Sequence, residues 1–415
     1  MKRYIHTKSI LPGFLLFIVL ILFGAFFQAC QKETGAEGGI PLVKYIRITD
    51  PLKSDSLIAH AFMGNNIAIM GENLQNVVEI WFNDQSAILN TSFITSTTII
   101  VGIPNVIPGT VTNKMKLVFK DKSEVTYPFG VDVPAPLVSS LLCEYIVAGG
   151  TAVIQGNFFI NDPSTPLTVL FPGNIAGQIL TYNLNEIRVK VPAGVGSGPI
   201  VVKSIYGSTR STFYFRDDRN VYLNFDNLTS SGSWRSGTVR SDVNSLTGNY
   251  VMLKGELGDN AGGEDFSGGG FVCELWGDAN GRPQGNFLPG NPSDYLLKFE
   301  ANVKEWSGAY LNICWGPWAS SVGPYQNQLY WSDVNARGLW RPWEGTSNGK
   351  FNTDGWITVT IPMSDMKYNK DFAALAFDPA KTGSMTLWMK GPAATKGGTC
   401  KMEVYFDNFR IVPKK

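Results

Sequence analysis

Gly64-Asn-Asn-Ile-Ala-Ile-Met-Gly71-Glu-Asn-Leu74 and Gly150-Thr-Ala-Val-Ile-Gln-Gly156-Asn-Phe-Phe159 read as two copies of one strand, each a short apolar run ending at a glycine. Outward from them the likeness continues in the same order. Ile80-Trp81-Phe82 and Thr98-Ile-Ile-Val-Gly-Ile-Pro104 follow the first copy, and Val169-Leu170-Phe171 and Glu186-Ile-Arg-Val-Lys-Val-Pro192 follow the second. Matching elements at nearly matching spacing make an internal repeat. Ile187, Val189 and Val191 alternate with Arg188 and Lys190, and Met115, Leu117 and Phe119 alternate with Lys116 and Lys120. That period of two puts one face in a core and the other in water, as in an antiparallel sheet. Gly71 and Gly156 are expected where a strand turns sharply, and Pro104 and Pro192 where a strand ends. Each copy has the length of an immunoglobulin-like sandwich.

Boundaries fall near Pro134-Ala-Pro136 and Arg216-Asp-Asp-Arg219. Residues 40–134 and 135–217 are therefore two sandwiches, and residues 218–415 are a third, longer unit. It opens with Val221-Tyr-Leu-Asn-Phe-Asp226 and closes with Met402-Glu-Val-Tyr-Phe-Asp-Asn-Phe-Arg-Ile411. Alternating runs such as Leu297 to Val303 and Ile357 to Ile361 lie between, and no segment keeps a helical period. Pairing of the first and last strands would close a jelly roll. The expected fold class is all-β: two tandem Ig-like β-sandwiches followed by a C-terminal jelly-roll β-sandwich. Forty-four glycines and 12% aromatic residues suit many short strands and many turns. With 35 basic and 34 acidic residues the net charge is +1, which argues against a nucleic-acid partner and suits a neutral ligand.

Lys2, Arg3 and Lys8 precede an almost wholly apolar run from Phe14 to Phe27, which stops at Gln28-Ala29-Cys30. Residues 1–29 read as a lipoprotein signal peptide, with Cys30 lipidated as the new N-terminus. An uncleaved membrane anchor is the alternative for a run of this length. Residues 30–39 form a flexible tether of Lys, Glu and Gly. Cys143, Cys273, Cys314 and Cys400 make no C-x-x-C pair, which argues against zinc. An exported location permits a disulfide among the last three, but buried thiols are the reading adopted.

Ten of the eleven tryptophans follow residue 230, and Trp315, Trp318, Trp331, Trp340 and Trp343 crowd into one stretch with Tyr325 and Tyr330. Gly, Pro and Asn interleave with them, and turn-rich loops cannot all fold their rings into one core. Flat amphipathic rings left at a surface stack on the apolar faces of sugars. Trp331, Trp340 and Trp343 are the first candidates for such a platform, with Tyr330, Trp318 and Tyr325 beside them. Asn327 and Gln328 are candidates for reading hydroxyls. For each ring the competing reading is a loop residue folded back as a lid on the core. Trp315 shares its register with Leu311 and Ile313 and is expected inside. Trp356 could sit on a solvent-facing side of its strand or close the end of a core, Trp388 has the same ambiguity, and Trp81 reads as structural. Asp226 and Asp407 could help to hold calcium, but two acids are too few, and exposed strand-end carboxylates are the reading adopted.

Both repeat copies resemble the TIG (IPT) immunoglobulin-like family. The lipoprotein signal, the tandem TIG-like units and the Trp-rich jelly roll together resemble the surface glycan-binding proteins of Bacteroidota polysaccharide-utilisation systems. Gly355-Trp-Ile-Thr-Val-Thr-Ile-Pro362 and Tyr405-Phe-Asp-Asn-Phe409 carry the resemblance of the last unit to their xyloglucan-binding-type domain. It implies non-catalytic binding of a polysaccharide, of β-glucan or xyloglucan type, with no cofactor or metal. It also implies a lipid anchor in the outer membrane facing the cell exterior, beside a TonB-dependent transporter and its SusD-like partner. Two other classes compete. TIG-like units alone would suit a protein-binding adhesin or spacer. Glu264, Asp265, Glu274 and Asp278 could serve a glycoside hydrolase, which needs two carboxylates flanking the bond. Beyond the signal the only histidine is His60, in the first sandwich, so the third unit can hold no Ser-His-Asp set or histidine metal site.

Overall fold

The computed structural model describes residues 39–230, 237–257, 272–275, 281, 285–318, 329, 332–390 and 400–414. Among them the regular elements are strands and short 3-10 turns. No helix among the described residues is long and apolar enough to cross a membrane, and Phe14 to Phe27 and Cys30 lie outside the described residues. The chain forms two compact units that divide between Val133 and Pro134.

The first unit is a sandwich. Strands Leu42–Ile48, Asn66–Glu72 and Thr98–Gly102 form one sheet, and Gln85–Ser86, Val77–Phe82, Lys114–Phe119 and Glu124–Pro128 form the other. Ile46, Ile69, Ile80, Ile99, Met115 and Leu117 fill the space between them. The second unit begins with another sandwich. Its sheets are Leu137–Leu141, Thr151–Asn157, Glu186–Lys190 and Gln178–Tyr182, facing Ile175–Ala176, Thr168–Phe171, Val201–Ser204 and Gly207–Arg210.

The repeat extends to the irregularities. Leu42 pairs with Glu72 and Val43 with Gly71, and the register then shifts before Tyr45. Leu137 pairs with Asn157 and Val138 with Gly156, and the register shifts before Ser140. Neither glycine has a positive φ, so the expected sharp turn is not their reason. A Cβ on Gly71 would lie 2.0 Å from the Leu42 carbonyl oxygen, and one on Gly156 1.8 Å from that of Leu137. Both glycines let a neighbouring backbone approach at the bulge.

The third domain has strands β1 (Val221–Leu223), β2 (Thr238–Arg240), β3 (Tyr250–Leu257), β4 (Val272–Leu275), β5 (Tyr295–Ser307), β6 (Tyr310–Gly316), β7 (Arg337–Trp340), β8 (Lys350–Phe351), β9 (Trp356–Pro362), β10 (Ser384–Lys390) and β11 (Cys400–Pro413). The first sheet runs β2-β3-β11-β5-β8, with β1 joined to β11 and β9 to β5, and the second runs β4-β10-β6-β7. The opening and closing strands pair as expected, Val221 with Arg410 and Leu223 with Phe409. Leu297, Phe299, Ala301 and Val303 of β5 and Val404 and Phe406 of β11 meet Leu311, Ile313 and Trp315 of β6 and Met385, Leu387 and Met389 of β10 in one core. Trp315 lies fully inside, where alternation put it. Cys143 and Cys273 are buried free thiols, and Cys314 is buried.

Candidate functional site

Each sheet of the third domain has an outer face, and the two differ in what covers them. The first sheet meets the second sandwich over Lys298, Glu300, Thr358 and Arg410, where a cleft of about 500 Å³ opens between the two domains. Leu141, Leu142, Phe213, Thr360 and Val412 line this cleft, with no tryptophan or tyrosine among its walls. Further along the same face stand Trp356, Tyr250 and Tyr405. Trp356 Nε1 donates to the Asn244 carbonyl at 2.8 Å, and the Tyr250 hydroxyl bonds Asp242 at 3.1 Å. The turn around Asp242–Asn244 thus roofs these rings, and Trp356, read as solvent-facing or as closing the end of a core, is half-buried on the outer face.

The outer face of the second sheet is built differently. One row across it runs Glu274, Thr386, Cys314, Arg337, and the next runs Trp388, Asn312, Leu339, followed by Lys390 and Tyr310. Alternation explains the sorting, since Leu311, Ile313, Leu387 and Met389 take the core side and their neighbours point outward. Trp388 is the hub. The Arg337 guanidinium carbon lies 5.8 Å from its ring centre and Lys390 Nζ 5.4 Å, both within cation–π range. Asn312 Nδ2 donates to the Trp388 carbonyl at 3.3 Å, and Arg337 donates to Asn312 Oδ1 at 3.3 Å and to the Leu329 carbonyl at 3.4 Å. Tyr310 and Phe372 meet edge to face, 5.4 Å apart, beside Lys390. Leu329 packs on Cys314 and Trp388, and a Cβ on Gly316 would come within 2.5 Å of it, so that glycine makes its room. Burial pushes the Cys273 thiol, on the core side of β4, up to about 12, so it stays protonated and unreactive.

The expected ring positions separate into three groups. Trp331, Tyr330 and Tyr325 lie outside the described residues, as do Asn327 and Gln328. Trp340 belongs to β7, paired with Leu311, and points to the core, so it does not stand on an open face. Phe299, Trp306, Phe351 and Phe406 surround it edge-on at 4.9 to 6.4 Å. Trp343 also packs on the core, and its Nε1 donates to the Ala309 carbonyl at 2.6 Å. These two are lids on the core, because the segment is a strand followed by a 3-10 turn and not an open loop. Trp318 is half-buried at the edge of the second sheet, beside Gly383. Trp81, read as structural, occupies the solvent side of Val77–Phe82, with its Nε1 donating to Glu79 Oε2 at 2.8 Å. Asp226 is exposed, but Asp407 is fully buried within β11, which corrects the reading of both as exposed acids. Arg337, Asn312 and Lys390 were not singled out from the sequence. Reading Arg337-Gly-Leu-Trp340 as a strand would have placed Arg337 opposite Trp340 and found the face.

Two tandem sandwiches leading to a larger sandwich with an aromatic-centred, hydrogen-bonding sheet face define a modular carbohydrate-binding type of protein. Residues 215–413, the span of the third domain, match the family described as the surface glycan-binding protein B xyloglucan binding domain. An IPT/TIG domain-containing protein of Bacteroides ovatus is 24% identical over 502 aligned positions that span 99% of each chain. The crystal structure of the surface glycan-binding protein PbSGBP-B from Prevotella bryantii is 27% identical, with a TM-score of 0.72 over 91% of this chain and 99% of that one. From end to end the chain has the layout of a surface glycan-binding protein.

Proposed function

We propose that the chain captures a polysaccharide of β-glucan or xyloglucan type at the cell surface without cleaving it, on the outer face of the second sheet of the third domain. One observation carries the placement. The second sandwich and the Asp242–Asn244 turn occupy the first sheet's outer face, whereas on that of the second sheet Tyr310 and Lys390 stand half-buried around a buried centre of Trp388, Arg337 and Asn312. Leu329 is seated on Trp388, and Tyr325, Tyr330 and Trp331 are its neighbours in sequence. Those three rings, with Trp318 at the edge, are the proposed stacking groups, and each contributes on the order of 1 kcal/mol beyond area burial. Among the described residues of the mapped rows Glu274 is the one carboxylate, which supports binding over hydrolysis. Lipidation at Cys30 would anchor the chain in the outer membrane, and a TonB-dependent transporter with a SusD-like protein would receive the captured glycan.

Affinity gel electrophoresis of the chain from Ile40 onward, against a panel of polysaccharides, tests the proposal. Xyloglucan or a β-glucan is expected to retard the wild type, and Trp331→Ala to abolish the retardation with an unchanged unfolding temperature. The incubated glycan should release no new reducing ends. Free migration of the wild type in every β-glucan and xyloglucan would overturn the reading and favour a protein-binding adhesin.

A further inference from the structure

The second sandwich and the third domain meet through charges withdrawn from water. Glu144, just past the strand Leu137–Leu141, is 3% exposed, Lys298 of β5 is 5%, and Glu300 of β5 and Arg410 of β11 are at 0%. Lys298 Nζ donates to Glu144 Oε1, and Arg410 donates to Glu144 Oε2 at 2.7 Å. Arg410 also grips Glu300 with two nitrogens, at 2.8 and 2.9 Å. Two acids from two domains thus meet two bases from one. Burial raises the Glu300 carboxyl above its usual range against the pull of Arg410, and Glu300 and Glu144 together lift Arg410 above its own, against burial.

Backbone bonds fix the geometry of this cluster. The Thr358 N–H of β9 donates to the Leu142 carbonyl at 2.8 Å, and the Glu144 N–H donates to Thr358 Oγ1 at 2.7 Å. That hydroxyl donates onward to Glu300 Oε1 at 2.9 Å, so one threonine joins both sides. Arg410 lies 4.9 Å from the ring centre of Tyr145, whose hydroxyl donates to the Asp217 carbonyl at 2.7 Å in the connecting segment. The Arg216 N–H donates to the Glu144 carbonyl at 2.8 Å, which holds that connection against the same loop.

Buried ions repay their desolvation only when every partner is present, and removing one partner strands the others. Without Glu144, Lys298 would lose its ion-pair partner and Arg410 would keep only Glu300 on the outer face of the first sheet. We propose that the second sandwich is the obligatory structural partner of the third domain, docked through the Glu144–Arg410–Glu300–Lys298 cluster, and that the two unfold as a single cooperative body. The segment 215–413 is then an unfinished module, and the second sandwich is part of the glycan-binding unit and not a spacer before it. This inference holds whether or not the chain binds a glycan, so its test contains no ligand.

Differential scanning calorimetry of the chain from Ile40 onward separates the outcomes. The variants are Glu144→Gln, Glu144→Ala and Thr358→Val, with Glu186→Gln as the control, because Glu186 pairs with Arg188 on an exposed strand of the same sandwich. In the wild type residues 134–415 should melt in one transition with equal calorimetric and van't Hoff enthalpies. In the Glu144 variants that transition should split, its lower component falling by about 5 °C or more, while the control stays single. Thr358→Val removes no charge and approaches from the opposite domain, so its splitting keeps the test decisive if a Glu144 variant does not fold. Separate melting of the two domains in the wild type would overturn the inference. So would an unsplit transition in both Glu144→Gln and Thr358→Val.

Discussion

Asp407 faces Glu300 across the β5–β11 pairing, and its Oδ2 has no hydrogen-bond partner. Burial pushes its carboxyl up to about 9, against donation from the Asn408 N–H, and the charges of Glu300 and Asp226 add to the rise. The unfolded carboxyl titrates near about 3.9, so between these values the native state holds a proton that the unfolded chain has released. Stability from this group is complete below about pH 4 and is lost as pH rises towards 9, by up to about 1.4 kcal/mol per unit. Asp407→Asn should flatten the decline of unfolding temperature between pH 5 and 9 and stabilise the protein at pH 8. An identical slope in the variant would assign the proton elsewhere. Gly156 supports a second expectation. A methyl there meets the Leu137 oxygen, so Gly156→Ala should cost about 2 kcal/mol or more in denaturant unfolding, and Gly196→Ala, with open space around it, within about 0.5. The sequence reading took both repeat glycines for sharp turns and missed the close carbonyl, because that carbonyl comes from another strand.

Strand β7 shows where reading by element succeeded and where it failed. Alternation sorted Trp315 inward because Leu311 and Ile313 flank it in one unbroken run. Arg337-Gly-Leu-Trp-Arg-Pro342 offers no such run, and Gly338 and Pro342 read as turn residues. Gly338 is there for another reason, since a Cβ would lie 2.3 Å from Met366 Sδ. Contacts of that kind are tertiary and leave no local signature, so Trp340 was taken for a loop ring. Trp340→Ala should therefore act on stability, lowering it by about 3 kcal/mol in denaturant titration. Glycan retardation, measured where the variant is still folded, should be unchanged. Lost retardation in a fully folded Trp340→Ala would return this residue to the platform.

At the scale of the whole molecule, the order of domains, the repeat and the closing strand pair were all legible, because each rests on periodicity or on matching segments. Which sheet face the second sandwich covers was not legible, since it depends on that sandwich docking on the first sheet. Charge gives the last expectation at this scale. With 35 basic and 34 acidic residues the chain carries almost no net field, and the proposed ligand is neutral. The cations near Trp388 are placed for hydrogen bonding and cation–π contact, not for a run of charges: Arg337 is tied to Asn312 and Leu329, and Lys390 sits over the Trp388 and Phe372 rings. Stacking and hydroxyl contacts are short-ranged, and salt at about 0.1 M already screens beyond about 10 Å. Isothermal titration with a soluble glucan oligosaccharide should therefore give a dissociation constant that changes less than about twofold between 50 and 500 mM salt. An acidic polysaccharide held through Lys390 would instead weaken steeply over the same range. That outcome would keep the face as the site while changing the class of its ligand.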